Sequence, residues 1–241
     1  MKTNSDLADR RSFGALRLVT LALIALNVAL VVGHTLLYHP LLTQPGAAWY
    51  VVEPLILLVV YAAIVVGVTR RASPTRRQTL WQASALGLCV GAAEIVNLTL
   101  ETFSDASGLL ATAPFILGAF ALWGVAGAWR AWQTGSAPAG LLAAVWTAMI
   151  TMLIAVSYGF TLSYTAIARL MFLEAHDPDF LRSHWTDLHA FALANQFDSG
   201  FSHLLGALIV SALLGALGSG VGLLARRLGV PESAASTGHG A

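Results

Sequence analysis

The chain has 241 residues, of which 57% are hydrophobic and only 10% charged, and its net charge is +1. Soluble domains carry about 25% charged residues, so composition argues against a water-soluble globule. The dispersed basic residues argue against a nucleic-acid partner. Uncharged stretches of about 20 residues recur, enough to cross ~30 Å of hydrocarbon as helix, and they lack the ten-residue alternation of a membrane β-barrel. The expected fold class is an all-α integral membrane protein, a six-transmembrane-helix bundle with the lipid bilayer as its first partner.

A polar head, 1–14, containing Asp6 and Asp9 is expected as a cytoplasmic tail. The apolar run after it is too long for a signal-peptide core and lacks a small-residue cleavage site, so it is read as a retained helix. The first span is 15–37, stopped by His39-Pro40, and the second is 49–68, ended by Arg70-Arg71. The third is 79–102 and the fourth 109–132, followed by the turn-rich GSAPAG. The fifth, 141–172, and the sixth, 191–225, exceed a bilayer's need and so tilt or project. The transmembrane domain therefore covers 15–227, and 228–241 has the composition of a disordered tail. Between spans five and six, Asp177 before Pro178 predicts a helix start. A short external interfacial helix is expected there, with Phe180, Leu181, Trp185 and Leu188 on its apolar face.

Basic residues set the orientation. With both termini taken as cytoplasmic, eleven of the 13 Lys and Arg lie on the inner side, leaving only Arg169 and Arg182 outside. The expectation is a multi-pass protein of the plasma or inner membrane with both termini inside. Trp81, Trp129 and Trp132 then mark the inner interface, and Trp49, Tyr50 and Trp185 the outer one.

An ionisable side chain within a bilayer is costly and normally faces a bundle interior with partners. Glu94, Asn97 and Glu101 follow one another at i, i+3 and i+7 on the third span, a polar stripe on one helix face. His34 and Asn27 share a face of the first span, Glu53 begins the second, and Asn195, Asp198 and His203 lie on the sixth. If spans one, two, three and six pack together, these residues line one outward-facing cup. The plainer readings are a structural stripe for Glu94, a helix-dipole partner for Glu53 and interface residues for the histidines. Tyr158 and Tyr164 are read as interface-belt tyrosines, and the acidic loop from Glu174 to Asp179 as solvated. Small-residue ladders, Ala83-Gly87-Gly91 and Ala207-Ser211-Gly215-Ser219, predict close helix packing.

The chain has no paired C-x-x-C, H-E-x-x-H, G-x-S-x-G or phosphate loop, and no lysine after Lys2 for a Schiff base. The leading expectation is an intramembrane enzyme that performs acid/base chemistry on a lipophilic substrate. Its expected catalytic residues are Glu94, Glu101, Glu53, Asp198 and Asn97. Carboxyls at graded depth suit divided acid and base roles. A metal-assisted version would use His34, His203 and Glu94 with a divalent transition metal, zinc, iron, manganese or copper. No helical ligand-pair spacing supports it, and a bis-histidine haem on His34 and His203 is weaker still. The alternatives are a proton- or cation-coupled transporter, or a non-catalytic subunit in an oligomer or larger membrane complex.

Overall fold

The computed structural model describes residues 4–104, 109–175 and 177–229, with side chains described from Phe13 in the first helix and from Thr112 in the fourth. The described residues form α1 (Asn4–Leu37), a 3-10 turn (His39–Thr43), α2 (Ala47–Arg70), α3 (Pro74–Phe103), α4 (Leu109–Thr134), α5 (Ala137–Thr165), α6 (Ile167–Glu174), α7 (Pro178–Ser183) and α8 (Leu188–Gly229). Six of these helices, α1 to α5 and α8, are long and apolar enough to cross a membrane. Such a bundle suits a multi-pass membrane protein.

Three boundaries differ from expectation. The polar head is helical from Asn4, because its charged residues tolerate a helix in water and no proline interrupts them; hydropathy marks where a helix enters lipid, not where it starts. The fifth span ends at Thr165, and 167–174 forms a separate α6, tied to α3 by Arg169 Nε donating to Thr102 O at 2.9 Å. The helix expected between spans five and six does not reach Trp185 or Leu188: α7 stops at Ser183, because His184 adopts a left-handed conformation with φ 58°. Its start is as expected, with Asp177 Oδ1 accepting from Asp179 N at 2.6 Å and Pro178 in the first turn. Leu181 is exposed, whereas Trp185 is buried and packs edge-on against Tyr50 and Phe191. Of the tail expected at 228–241, Leu228 and Gly229 end α8, and 230–241, like His176, lie outside the described residues.

The bundle is organised around α5. In its most apolar window 72% of residues are buried, against 28% for α1, α2 and α8, so α5 forms the core and the other spans surround it with much of their apolar surface exposed. It packs on α1, α3, α4 and α8, and α4 lies close along α8 but touches α3 sparingly. The small-residue ladders do the predicted work. A Cβ on Gly87 would meet Ile150 Cβ and Thr147 O at 2.8 Å, and one on Gly215 would meet Ala144 Cβ at 2.7 Å. On the other face of α8, Gly218 and Gly222 lie directly against the backbone carbonyls of Gly124 and Ala128. Helices this close gain dispersion contacts along their whole length, the main attraction available where lipid is as apolar as the side chains.

One end of the bundle is rich in arginine (Arg70, Arg71, Arg76, Arg77, Arg226, Arg227) and the other carries the acidic 174–187 segment. At the acidic end Tyr38 stacks on His189 and donates to Asp187 Oδ2 at 2.7 Å, while Asp187 Oδ1 accepts from Ala190 N at 3.0 Å. Asp187 thus caps the first turn of α8 and ties it to the end of α1. Burial, with the neighbouring Asp187 acceptor and charge, pushes the Tyr38 hydroxyl up to about 12. Partial burial opposes ionisation of Asp187, but hydrogen bonds from Tyr38 and the Ala190 and His189 amides, with the His189 charge, outweigh it and hold the carboxyl below its usual range.

Candidate functional site

Where α3, α4, α5 and α8 meet, in the half of the bundle toward the acidic end, they leave a half-open cavity with about 820 Å³ of empty space. α3 contributes Glu94, Asn97, Leu98 and Glu101, and α8 contributes Gln196, Ser199, Gly200 and His203. α4 and α5 supply apolar walls, including Phe120, Met152, Val156 and Phe160. Both polar sets follow helical spacing, i, i+3 and i+7 on α3 and i, i+3, i+4 and i+7 on α8, so each is one face of a straight helix.

A cavity is therefore present, but helices other than those expected line it. Spans one and two were expected beside three and six; instead α4 and α5 complete the wall, because α5 fills the centre and separates α1 from the cavity. Glu94, Asn97, Glu101 and His203 converge as expected. His34, Glu53 and Asp198 lie elsewhere. His34 is buried, its Nε2 3.0 Å from Phe160 O, and its ring stacks on Tyr164 at 3.5 Å. The carbonyl can only accept, so Nε2 carries the hydrogen, as in a satisfied core histidine. Asn27 on the same face donates to Ser157 Oγ at 2.7 Å and Leu153 O at 3.2 Å, joining α1 to α5. Glu53 and Asp198 are half-buried and outside the cavity lining. Tyr164 and Tyr158 also bond away from it, to Leu30 O and Thr99 Oγ1.

Within the cavity, exposure is graded. Glu94 is only 7% exposed, Asn97 4%, Glu101 is half-buried and His203 is exposed. Asn97 Nδ2 donates to Glu94 Oε2 at 3.3 Å and its amide also acts on Glu101. With the amide nitrogen turned to a carboxyl, Asn97 Oδ1 is left buried and without a partner. His203 lies within electrostatic reach of both glutamates. Its Nδ1 is 2.7 Å from Ser199 O, again a pure acceptor, so Nδ1 carries the hydrogen and Nε2 of the neutral ring is a free acceptor or base.

The geometry bears on the metal expectation. His34 does not line this cavity, and among the described residues no three His, Cys, Asp or Glu side chains converge as a ligand set. Glu94 and Glu101 are two carboxyls on one face of α3, two helical turns apart, with the Asn97 amide acting on both. The set fits two separated acid/base groups better than a metal centre, and it does not pair His34 with His203 across a haem.

Sequence reading missed Gln196 and Ser199. Counting back from His203 by four and seven gives Ser199 and Gln196, whereas the conspicuous Asn195 and Asp198 are a residue out of phase. Asn195 instead donates to Glu174 Oε1 at 2.6 Å, away from the cavity. Burial, opposed by that bond and reinforced by Asp177 and Asp179, raises the Glu174 pKa above the usual carboxyl range. Comparison with family models, with curated proteins and with solved structures finds no match for this chain.

Toward the arginine-rich end the core is packed, apart from a smaller pocket among α3, α4 and α5 beside Arg130. Trp146 Nε1 donates to Ser84 Oγ at 2.8 Å, Thr147 and Thr151 bond Ala83 O and Gly87 O at 3.3 Å, and Leu80, Trp123, Met149 and Leu153 are almost wholly buried. The cavity is a cup with a packed floor.

Proposed function

We propose that this chain is an intramembrane enzyme that takes a lipophilic substrate into the α3–α4–α5–α8 cavity and transfers protons to and from it, with Glu94 and His203 as the exchanging groups. The observation that carries this reading is the pairing of a buried carboxyl on α3 with an α8 imidazole whose Nε2 is free, in a cavity whose α4 and α5 walls are apolar. Proton transfer requires a donor and an acceptor on different sides of a bound molecule, and an apolar wall with a few placed polar groups is how pockets hold lipophiles. Asn97, between the two carboxyls, positions both; Glu101, nearer the mouth, exchanges protons with water. The reactions that suit such a set are isomerisation, cyclisation and hydration, which need no redox partner. Transport is disfavoured by the packed floor. In this reading the membrane is a plasma or inner membrane, with the cavity opening on its outer side.

The test is to purify the chain in mild detergent, extract it with organic solvent and compare the extract by mass spectrometry with that of Gly159→Leu. A Cβ at Gly159 meets nothing nearer than Gln196 Oε1 at 3.9 Å, so the added side chain grows into free space beside the cavity lining. A lipophilic compound retained by the wild type and lost from Gly159→Leu, then converted by the wild type but not by Glu94→Gln or His203→Ala, is the expected result. Identical extracts from the wild type and Gly159→Leu would rule the reading out.

A further inference from the structure

The inventory of hydrogen-bonding groups in the cavity is lopsided. Its lining holds two carboxyls, Glu94 and Glu101, and no lysine or arginine. Of its polar hydrogens, those of Asn97 are directed at the glutamates and that of His203 Nδ1 at Ser199 O, which leaves the Gln196 amide and the Ser199 hydroxyl as donors on the α8 wall. What remains on the α3 wall is acceptors: the outer carboxyl oxygens and Asn97 Oδ1, which is buried and unpartnered. A buried acceptor without a donor costs about 1–3 kcal/mol, and here the missing donor has to come from whatever fills the cavity. Two carboxyls whose one cationisable neighbour in the lining is His203, with no lysine or arginine, make a further demand, since buried acids in a membrane normally have a partner. Phe120 and Phe160 in the lining add aromatic surfaces suited to a cation.

A carboxylate head is repelled by such a wall, and a ketone or ether brings acceptors where acceptors already crowd. A neutral hydroxyl supplies one donor but no charge. Resting on the reading that the cavity takes a lipophilic molecule, we infer that the molecule is a lipophilic amine, whose ammonium N–H groups are received by Glu94, Asn97 Oδ1 and Glu101 while its hydrocarbon body lies against Phe120, Met152, Val156 and Phe160. His203 Nε2, on the opposite wall, accepts the proton that leaves the nitrogen, whose electron pair stays on the amine.

A set of probes of one shape tests this: 1-adamantylamine, its N,N,N-trimethyl derivative, 1-adamantanol and 1-adamantanecarboxylate, titrated calorimetrically against the full chain in lipid nanodiscs with empty nanodiscs subtracted. The amine is expected to bind saturably and at least about tenfold tighter than the alcohol, as for a charge-assisted against a neutral hydrogen bond. The trimethyl derivative, charged but without N–H, is expected to bind more weakly than the amine, and the carboxylate not at all. Glu94→Gln and Glu101→Gln should each weaken the amine about tenfold while leaving the alcohol unchanged, with unaltered melting curves showing intact folding. If alcohol and amine bind equally and Gly159→Leu abolishes both, the amine inference falls and the lipophile cavity stands. If no probe binds saturably to folded wild-type protein, the inference falls, and the cavity reading falls with it should the extracts of wild type and Gly159→Leu also agree.

Discussion

Arg130 and Glu94 are both buried at the junction of α3 and α4, one toward each end of the bundle, and their surroundings differ in kind. Around Arg130 every donor is met. Nε donates to Thr79 Oγ1 at 2.8 Å, Nη1 to Gln82 and Gln133 at 3.2 and 3.0 Å, and Nη2 to Thr75 O and Gln78 at 2.9 and 3.4 Å. All five acceptors are neutral, so the guanidinium is solvated by protein dipoles much as by water, and it clamps α3 to α4. Around Glu94 the accounting is incomplete: one amide donates to its carboxyl, that amide's oxygen has no partner, and a cavity stands beside it. A complete shell is what a structural ion needs; an incomplete one beside a void is what a binding site leaves for its ligand.

The contrast can be broken most directly at Arg130. Arg130→Met strands several acceptors at once and is expected to cost about 3 kcal/mol, seen as a clear drop in melting temperature in detergent, with binding in the cavity weakened only as far as folding is. A loss below about 1 kcal/mol would mean that the clamp is incidental. Next comes the Tyr38–Asp187 tie, a third polar cluster, outside the lipid-facing spans. Tyr38→Phe should cost about 1–2 kcal/mol and flatten the pH dependence of melting. The signs follow from the two shifts. The raised tyrosine contributes stability that is full below its unfolded pKa of about 10 and is lost as pH rises through about 12. The depressed aspartate contributes stability present above about pH 4 and lost as pH falls through its lowered folded value. Melting curves of wild type and Tyr38→Phe that stay parallel across pH would sink this assignment.

Glu94→Gln should sharpen the contrast from the other side. It removes a charge but keeps shape and amide pairing, so stability should shift by less than about 1 kcal/mol while retention of the cavity's lipophile is lost. A large loss of stability with retention intact would make Glu94 a structural residue like Arg130. Glu53→Gln is the smallest change expected, within about 0.5 kcal/mol and without effect on retention, because Glu53 is outside the lining.

The six spans were legible because length and hydropathy alone specify a membrane helix, and the exposed Trp49, Trp81, Trp129 and Trp132 fit the predicted interface belts. The α3 stripe was legible because Glu94, Asn97 and Glu101 stand out in an apolar run and their spacing fixes a common face. Packing order was not legible. In lipid a helix surface facing a neighbour and one facing solvent are both apolar, so nothing in Ile116, Phe120 or Val156 distinguishes a cavity wall from a lipid-facing ridge. That ambiguity led to α1 and α2 being placed beside the cup in place of α4 and α5. The histidines failed for a related reason: a lone His34 reads alike whether it meets a ligand or a backbone carbonyl, and only the tertiary fold supplies Phe160 O.

The central place of α5 bears on how the protein is made. Ribosomes deliver spans in order, yet α5 finds its largest partner surfaces on α3, which precedes it, and on α8, which follows it. Until α8 leaves the translocon, the α5 surface around Ala144 and Phe160, which Gly215 and Gly200 later cover, has no partner but lipid. The bundle therefore closes only once α8 has been made, and the cavity wall bearing His203 arrives after those from α3, α4 and α5. Nascent chains arrested before Gly200 should carry α3 and its glutamates in an open form that membrane quality-control proteases can grip, whereas chains released beyond Gly222 should resist them.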